Sequence, residues 1–418
     1  MQSMINNNLY DIGIIACPGG VQFANEIIGH LKSISAKKME KQLQNLMKKY
    51  NLSRSEVIQK INFNRDLLSV YPKQNNNHGK ITMPDYRVPV HFTHFANGEF
   101  KTELRLSVRD RDIYIVQDVA NQYPIKFPDL KEKQVLSIND HIFCLYVTID
   151  AALQAGAKSI TVVLPTYPYS RQHKKKGREG LTAARFGQIL EYMGVERIIT
   201  LDIHSREIEN CFNHLRLENL HASYQITREL SRTIDVSDPN LVIVSPDTGA
   251  VDRNKFYAVS LKKELALLYK ERDYSKLTQD ALDNNIANMN LLGTVAGKNV
   301  FMSDDMLGTG STLLKALKLL RKMGAEKTIC AVSLPFFTGQ AIAHFEEAYS
   351  KNYFYRIIGT NAVYHDESLL SREWYLCANV SRLFAKTIFR LHFDLSLSAL
   401  LDNRNIINNL LAADEKQS

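Results

Sequence analysis

The sequence predicts an α/β protein built from two mostly parallel sheets, each flanked by helices. Short apolar runs alternate with amphipathic helical stretches in both halves of the chain. One strand plan also occurs twice. The run 241–245 leads into Pro246-Asp247-Thr248-Gly249, and the run 299–302 leads into Ser303-Asp304-Asp305 and then Gly308-Thr309-Gly310-Ser311-Thr312. A length of 418 residues exceeds one ordinary core and fits two domains with an elaboration. Ligands of such sheets collect outside the carboxyl ends of the strands, so the loops there hold the candidate residues.

In chain order, 10–17 reads as a first strand, Pro18-Gly19-Gly20 as its turn, and Phe23, Ile27, Ile28 and Leu31 as a helical stripe. From 36 to 85 the character changes. A Lys/Gln-rich helix with Met39, Leu43, Leu46 and Met47 on one side precedes Ser53-x-x-Glu56, a capping-box pattern, and then Asn75-Asn76-Asn77. We read an inserted helical hairpin with a polar tip, either solvated or in contact with another subunit. Phe95-Ala96-Asn97-Gly98-Glu99, before an alternating strand over 101–106, offers an aromatic face, an amide and a carboxylate to a base. A strand over 113–118, a core helix over 140–157 and a strand over 159–164 follow. The chain then enters Arg171-Gln172-His173-Lys174-Lys175-Lys176-Gly177-Arg178. Like charges at this density repel, so the loop suits either an anion such as a triphosphate or plain solvent. After a helix over 182–192, the strand 198–204 ends in His204, which fits a metal ligand or a structural imidazole.

In the second half, a helix reaches about 257 and the run 265–272 ends in Lys270 and Arg272. Two cations at that spacing lie on one side of an extended segment and could neutralise a phosphoryl group in transfer, or simply mark a surface strand end. After the strand 299–302, Leu313, Leu314, Leu317, Leu319, Leu320 and Met323 recur at helical spacing until Gly324. Backbone N–H groups of Gly308 to Thr312, at the start of that helix, can point at a phosphate. Thr309, Ser311 and Thr312 add hydroxyls. Asp304 and Asp305 would repel a phosphate at short range and suit ribose hydroxyls or a magnesium-bound group beside it. An Asp-rich turn that caps a helix is the alternative. The lysine of a Walker loop is absent. Strands over 327–334, 355–359 and 375–377 alternate with helices near 340–349 and 380–392, and 403–418 is a polar tail.

A hydrophobic fraction of 45% supports compact folding, and a net charge of +8 suits an anionic partner. The lysines gather in 36–60 and 171–178 without interleaved aromatics, which argues against a nucleic-acid platform. The five cysteines are scattered and never paired as C-x-x-C, so a reduced, cytoplasmic protein without a thiolate metal site is expected. No run approaches membrane length and the first ten residues carry no signal pattern, so neither a membrane partner nor secretion is expected.

Together these pieces resemble the ribose-phosphate diphosphokinase (phosphoribosyl diphosphate synthetase) family over 12–35 and 92–401. Seven separated motifs occur in family order: Phe95-x-Asn97-x-Glu99; Ser107-Val108-Arg109 with Ile115-Val116-Gln117; Pro168-Tyr169-Ser170-Arg171-Gln172; Asp202-Ile203-His204; Pro246-Asp247-x-Gly249; Lys270-Glu271-Arg272; and Asp304-Asp305-Met306 with Thr309-x-x-Thr312. The resemblance implies two similar type I phosphoribosyltransferase domains, over 9–222 with the 36–85 insertion and over 223–392, followed by a tail over 393–418. It implies transfer of the β,γ-diphosphate of ATP to the 1-hydroxyl of ribose 5-phosphate, with Mg2+ as cofactor, in a homo-oligomer built from dimers, a hexamer being one form. By matching position, Phe95 and Arg171 would sandwich adenine while Asn97, Glu99 and Gln172 bond the nucleotide. His204 and Asp247 would hold magnesium, and Lys270 and Arg272 would steady the transferring group. Asp304 and Asp305 would take the ribose hydroxyls, and Gly308, Thr309, Gly310, Ser311 and Thr312 the 5-phosphate.

The chain also departs from that pattern. Gly308 stands where the family has a carboxylate, Ser311 where it has glycine, and His173 where it has Asp. Arg206, Glu207 and Glu209 replace small and amide residues in a region the family uses for subunit contacts and allosteric nucleotides. These departures motivate a non-catalytic regulatory paralogue as an alternative, and retention of Lys270, Arg272, His204 and Asp247 argues against it. A phosphoribosyltransferase is the second alternative, disfavoured by the duplicated domains and the Phe95 motif.

Overall fold

The structure is a computed structural model and describes residues 9–60, 84–175, 177–272, 286–404, 407–408 and 411. In chain order the first half contains β1 (Ile12–Ala16), α1 (Val21–Tyr50), α2 (Arg54–Lys60), β2 (Val90–His94), β3 (Phe100–Leu104) and β4 (Asp112–Val116). It continues with α3 (Ile138–Gln154), β5 (Ser159–Val163), α4 (Thr182–Tyr192), β6 (Arg197–Leu201) and β7 (Arg216–Leu220). The second half contains α5 (Ser223–Thr233), β8 (Leu241–Ser245), α6 (Val251–Leu261), β9 (Leu265–Arg272), β10 (Ile286–Leu292) and β11 (Asn299–Leu307). After it come α7 (Ser311–Lys322), β12 (Thr328–Pro335), α8 (Ala341–Ser350), β13 (Arg356–Thr360), β14 (Tyr375–Ala378) and α9 (Ser381–His392). The chain divides into two compact units. The first comprises Met1–Thr200, Ser205–Leu220 and Ser381–Leu400; the second comprises Leu201–His204, His221–Val380 and Leu401–Ser418.

The first unit holds a five-stranded sheet in the order β1-β4-β5-β6-β7 and a separate antiparallel β2–β3 hairpin. The β1–β4, β4–β5 and β5–β6 ladders are parallel, and β1 is buried along its whole length, as strands covered on both faces are. A break at residue 36 was expected from composition, but α1 is one helix of 30 residues. Its buried stripe runs Phe23, Ile27, Leu31, Ser35, Met39, Leu43, a four-residue step that no Pro or Gly interrupts at the supposed boundary. Ser35 keeps its place in that stripe because its hydroxyl meets the Tyr86 hydroxyl at 2.6 Å. The helix stops where Asn51 adopts φ 51°. Ser53 and Glu56 then bond each other's backbone N–H, at 3.3 and 2.8 Å, to start α2. Asn75, Asn76 and Asn77 lie outside the described residues.

The sequence reading put the helix near 380–392 in the second domain, whereas Ser381–Leu400 belongs to the first unit. Its buried face explains this. Phe384 meets Phe23 of α1 edge-on at 5.0 Å, and His392 pairs with Asp112 at the start of β4 at 2.9 Å. The second unit is a seven-stranded sheet in the order β10-β9-β8-β11-β12-β13-β14, parallel throughout except for β9–β10. Val244, Met302, Val332 and Ile357 of the sheet pack on Leu317 and Leu320 of α7 and on Phe337, Phe345 and Trp374. The polar tail, to which the sequence assigned no element, docks at two points. Asn403 donates to His221 O and Ser223 Oγ at 3.1 and 3.0 Å, and Ile407 is fully buried. Among the described residues, no helix is long and apolar enough to cross a membrane.

Candidate active site

β11 runs further than the sequence suggested, to Leu307, so Asp304 and Asp305 belong to the strand end rather than to a loop. β12 pairs with it as far as Leu307–Pro335 and fixes both residues. Asp305 N–H donates to Asp304 Oδ1 at 2.8 Å, and Asp305 Oδ2 meets His204 Nδ1 at 2.5 Å. Burial pushes the Asp304 carboxyl up, and the neighbouring charges of Asp305 and Asp247 push it further. Burial acts on Asp305 in the same sense, but the hydrogen bond and charge of His204, together with the charge of Arg253, hold it below the usual carboxylate range. Asp247 follows β8 and caps its own turn, Oδ1 accepting from Gly249 and Ala250 N–H at 2.9 and 3.0 Å.

The loop after β11 is held by backbone bonds from Phe337 to Leu307 O and from Thr338 to Gly308 O, each 3.1 Å. Gly310 then turns with φ 73° to open α7, and no side chain caps that helix. The N–H groups at its start, with the exposed hydroxyls of Thr309 and Ser311 beside them, form a cradle suited to an anion.

Beneath the carboxylates lies a buried set that sequence reasoning missed. Asp202 accepts from Ser333 Oγ at 2.6 Å and from Ala222 N–H at 3.1 Å; it meets His221 Nδ1 at 2.9 Å and Arg253 at 3.4 Å. Burial opposes its charge, yet Arg253, His221 and Ser333 hold its carboxyl far below the usual range. Asp202 also adopts φ 40°, a left-handed conformation that costs a non-glycine residue about 1–2 kcal/mol and persists because so many partners fix it. Arg253 lies half-buried against the same group and donates to Ser333 Oγ at 3.1 Å. Burial disfavours its charge, and the carboxylates of Asp202, Asp305 and Asp304 more than restore it. Asp202 had a signal in the Asp202-Ile203-His204 run; Arg253 and Ser333 had none that spacing reveals.

The remaining candidates fall in three places. Phe95, Asn97 and Glu99 occupy the β2–β3 turn, where Phe95 N–H bonds Glu99 O at 2.9 Å and Glu99 N–H bonds Asn97 Oδ1 at 3.2 Å. Phe95 is 45% exposed. Arg171 and Gln172, both exposed, sit in the loop after β5, where Gln172 N–H closes a turn on Tyr169 O at 2.7 Å. Glu207 pairs with Lys174 at 3.0 Å and lies 4.0 Å from His173, so two of the departures from the family pattern meet each other in this unit. Lys270 and Arg272 lie in β9 opposite Met289 and Ile286 of β10; their side chains fall outside the described residues.

Comparison with known proteins bears on this arrangement. The family described as the N-terminal domain of ribose phosphate pyrophosphokinase matches residues 82–194, and the phosphoribosyl transferase domain matches 214–368. Ribose-phosphate pyrophosphokinase A of Dictyostelium discoideum is 31% identical over 314 residues, covering 75% of this chain and 90% of that protein. The chain belongs to the ribose-phosphate pyrophosphokinase family. Ribose-phosphate pyrophosphokinase 4 of Saccharomyces cerevisiae is similar at 32% over 322 residues, 77% of this chain and 89% of that one. The crystal structure of phosphoribosylpyrophosphate synthetase from Mycobacterium smegmatis shares the fold, with a TM-score of 0.66 at 23% identity over 92% of this chain and 99% of that one. The family match over 82–194 begins after most of the 36–85 stretch, leaving β1, α1 and α2 outside it.

For a pyrophosphokinase the metal is a question of donors. Among the described residues, no three His, Cys, Asp or Glu side chains converge on one point. What the chain offers instead is a partial set, the carboxylate of Asp247 after β8 and the imidazole of His204, whose Nδ1 meets Asp305 Oδ2. That set fits magnesium, which keeps several waters and takes one or two carboxylates together with substrate phosphates rather than a complete protein cage.

Proposed function

We propose that the chain acts as a ribose-phosphate diphosphokinase, moving the β,γ-diphosphate of ATP onto the 1-hydroxyl of ribose 5-phosphate and releasing AMP, in nucleotide biosynthesis. Family membership supports the activity. The observation that carries the sugar half is the strand end Asp304–Asp305 running into the loop that turns at Gly310. In this reading Asp304 and Asp305 accept from the ribose hydroxyls. The N–H groups of Gly308, Thr309, Gly310, Ser311 and Thr312 hold the 5-phosphate. Phe95 and Arg171 flank adenine, and Asn97, Glu99 and Gln172 bond the nucleotide. Lys270 and Arg272 neutralise charge as the diphosphoryl group moves. Magnesium, when bound, spreads the charge of the phosphate oxygens, and Asp247 and His204 are the residues that would hold it. Arg253 and Asp202 keep the carboxylates in place without contact with substrate.

A homo-oligomer built from dimers and a cytoplasmic location complete the proposal. Exposed Val135, Ile138 and Phe143 on one stretch of the first unit support the former, and five free cysteines support a reducing compartment. Light scattering and cell fractionation test these two points. The activity is tested by incubating purified protein with ATP, magnesium and ribose 5-phosphate and following AMP. Stoichiometric AMP and 5-phosphoribosyl 1-diphosphate are expected. Absence of AMP at every phosphate concentration would favour a regulatory paralogue, and pyrophosphate release on supplying 5-phosphoribosyl 1-diphosphate with a base would favour a phosphoribosyltransferase.

A further inference from the structure

Asn254, on α6, takes the place of a neighbouring strand at the point where the sheet opens. The β8–β11 ladder ends at the Phe301–Ile243 pair, whereas β12 continues beside β11 to Leu307. Val300 N–H bonds Lys327 O on the β12 side at 2.7 Å, so strand alternation turns the polar backbone of Phe301 and Ser303 toward β8. At Ser303, β8 has already diverged. Ser303 is fully buried, and its N–H and C=O would each carry the cost of an unmade bond.

The Asn254 side chain, itself fully buried, meets both groups. Its Oδ1 accepts from Ser303 N–H at 2.8 Å, and its Nδ2 donates to Ser303 O at 2.7 Å and to Ala250 O at 2.8 Å. A carboxamide offers the donor and the acceptor side by side, as a peptide unit of a strand does; an aliphatic side chain offers neither. The next residues along the chain are Asp304 and Asp305.

We infer that Asn254 is a positioning residue: acting through the backbone of Ser303, it sets where Asp304 and Asp305 present their oxygens to the sugar. This rests on the proposed function. The geometry separates Asn254 from residues that merely stabilise the fold, because the two bonds fall on the last β11 residue before the carboxylates, on the side that no strand covers. Its neighbour Arg253 balances the charge of the same pair, so one turn of α6 supplies both alignment and counter-charge.

The test compares wild type with Asn254→Leu, Asn254→Ser and Leu261→Ala. The first removes both bonds at similar volume, the second leaves room for a bridging water, and the third loosens the far end of α6. Ribose 5-phosphate is titrated calorimetrically, KM for each substrate is measured, and thermal midpoints are recorded. Asn254→Leu should weaken ribose 5-phosphate binding and raise its KM about tenfold, while the ATP KM stays within about twofold. Asn254→Ser should fall between, and Leu261→Ala should lower the midpoint and leave ribose 5-phosphate affinity at the wild-type value. Wild-type sugar affinity in both Asn254 variants overturns the inference, as does an equal loss in Leu261→Ala or an equal rise in the ATP KM. If Asn254→Leu does not fold, Asn254→Ser decides by the same criteria. If wild type binds ribose 5-phosphate but forms no AMP, the functional reading fails and the titration still decides the positioning role; if wild type does not bind the sugar, the inference is overturned.

Discussion

At Gly310 the backbone turns with φ 73°, and a Cβ added there would lie 2.3 Å from the Phe345 ring. Either condition disfavours every other residue, and together they leave no inexpensive rearrangement, because Phe345 is fully buried in the aromatic cluster of the second unit. Gly310→Ala should therefore cost about 1–3 kcal/mol in denaturant unfolding and weaken ribose 5-phosphate binding, since the cradle and the core share this contact. An unchanged midpoint with unchanged affinity would show that the turn is not what shapes the cradle. Lys270 raises a different question, of charge rather than space. If it steadies the diphosphoryl group only in transfer, Lys270→Ala should lower kcat about a hundredfold and leave the ATP KM within a few-fold. Equal losses in both would make it a binding residue.

Among the elements, α9 is tied to β4 by a titratable contact. Burial disfavours the Asp112 carboxylate, but bonds from His392 and Ser159 and the charge of Lys158 hold its carboxyl below the usual value. A group whose pKa is depressed by folding adds stability above its unfolded pKa, about 3.9, and loses it as pH falls through the folded value. Asp112→Asn should thus destabilise the protein at pH 7, and the gap from wild type should shrink below about pH 4 in urea unfolding series. A gap that stayed constant with pH would exclude the ion pair as its source. The sequence foretold the buried strands for a related reason. β1, β4, β8 and β12 are covered on both faces and so read as unbroken apolar runs. β7, with Leu217 and Leu220 alone among polar residues at a sheet edge, carries no such run and was missed. The candidate site divides in the same way. Asp304, Asp305 and Gly310 are adjacent in the chain, so a local motif reveals them. Asp202, Arg253, Asn254 and Ser333 meet only once the sheet has brought three separate segments together.

At the scale of the molecule, the chain leaves its first unit after Leu220, builds most of the second, returns with Ser381–Leu400 and ends in the second with Leu401–Ser418. Composition gives no hint of this, because α9 is an ordinary amphipathic helix whose partner is decided by shape rather than by order. The energetic consequence is large. Leu383, Phe384, Ile388 and Phe389 are all buried, and at about 1.5–3 kcal/mol each their burial is worth at most about 6–12 kcal/mol, comparable with the whole stability of a domain. A fragment ending at residue 222, the boundary that the sequence suggested, would expose Phe23, Leu31 and the opposing face of α1. It should bind a hydrophobic dye and be digested rapidly by protease. The same fragment with 381–400 joined through a flexible linker should regain resistance and a cooperative unfolding transition. A cooperative transition in the unaided fragment would instead mean that the first unit closes its core without α9, and the return of the chain would then be only a matter of surface packing.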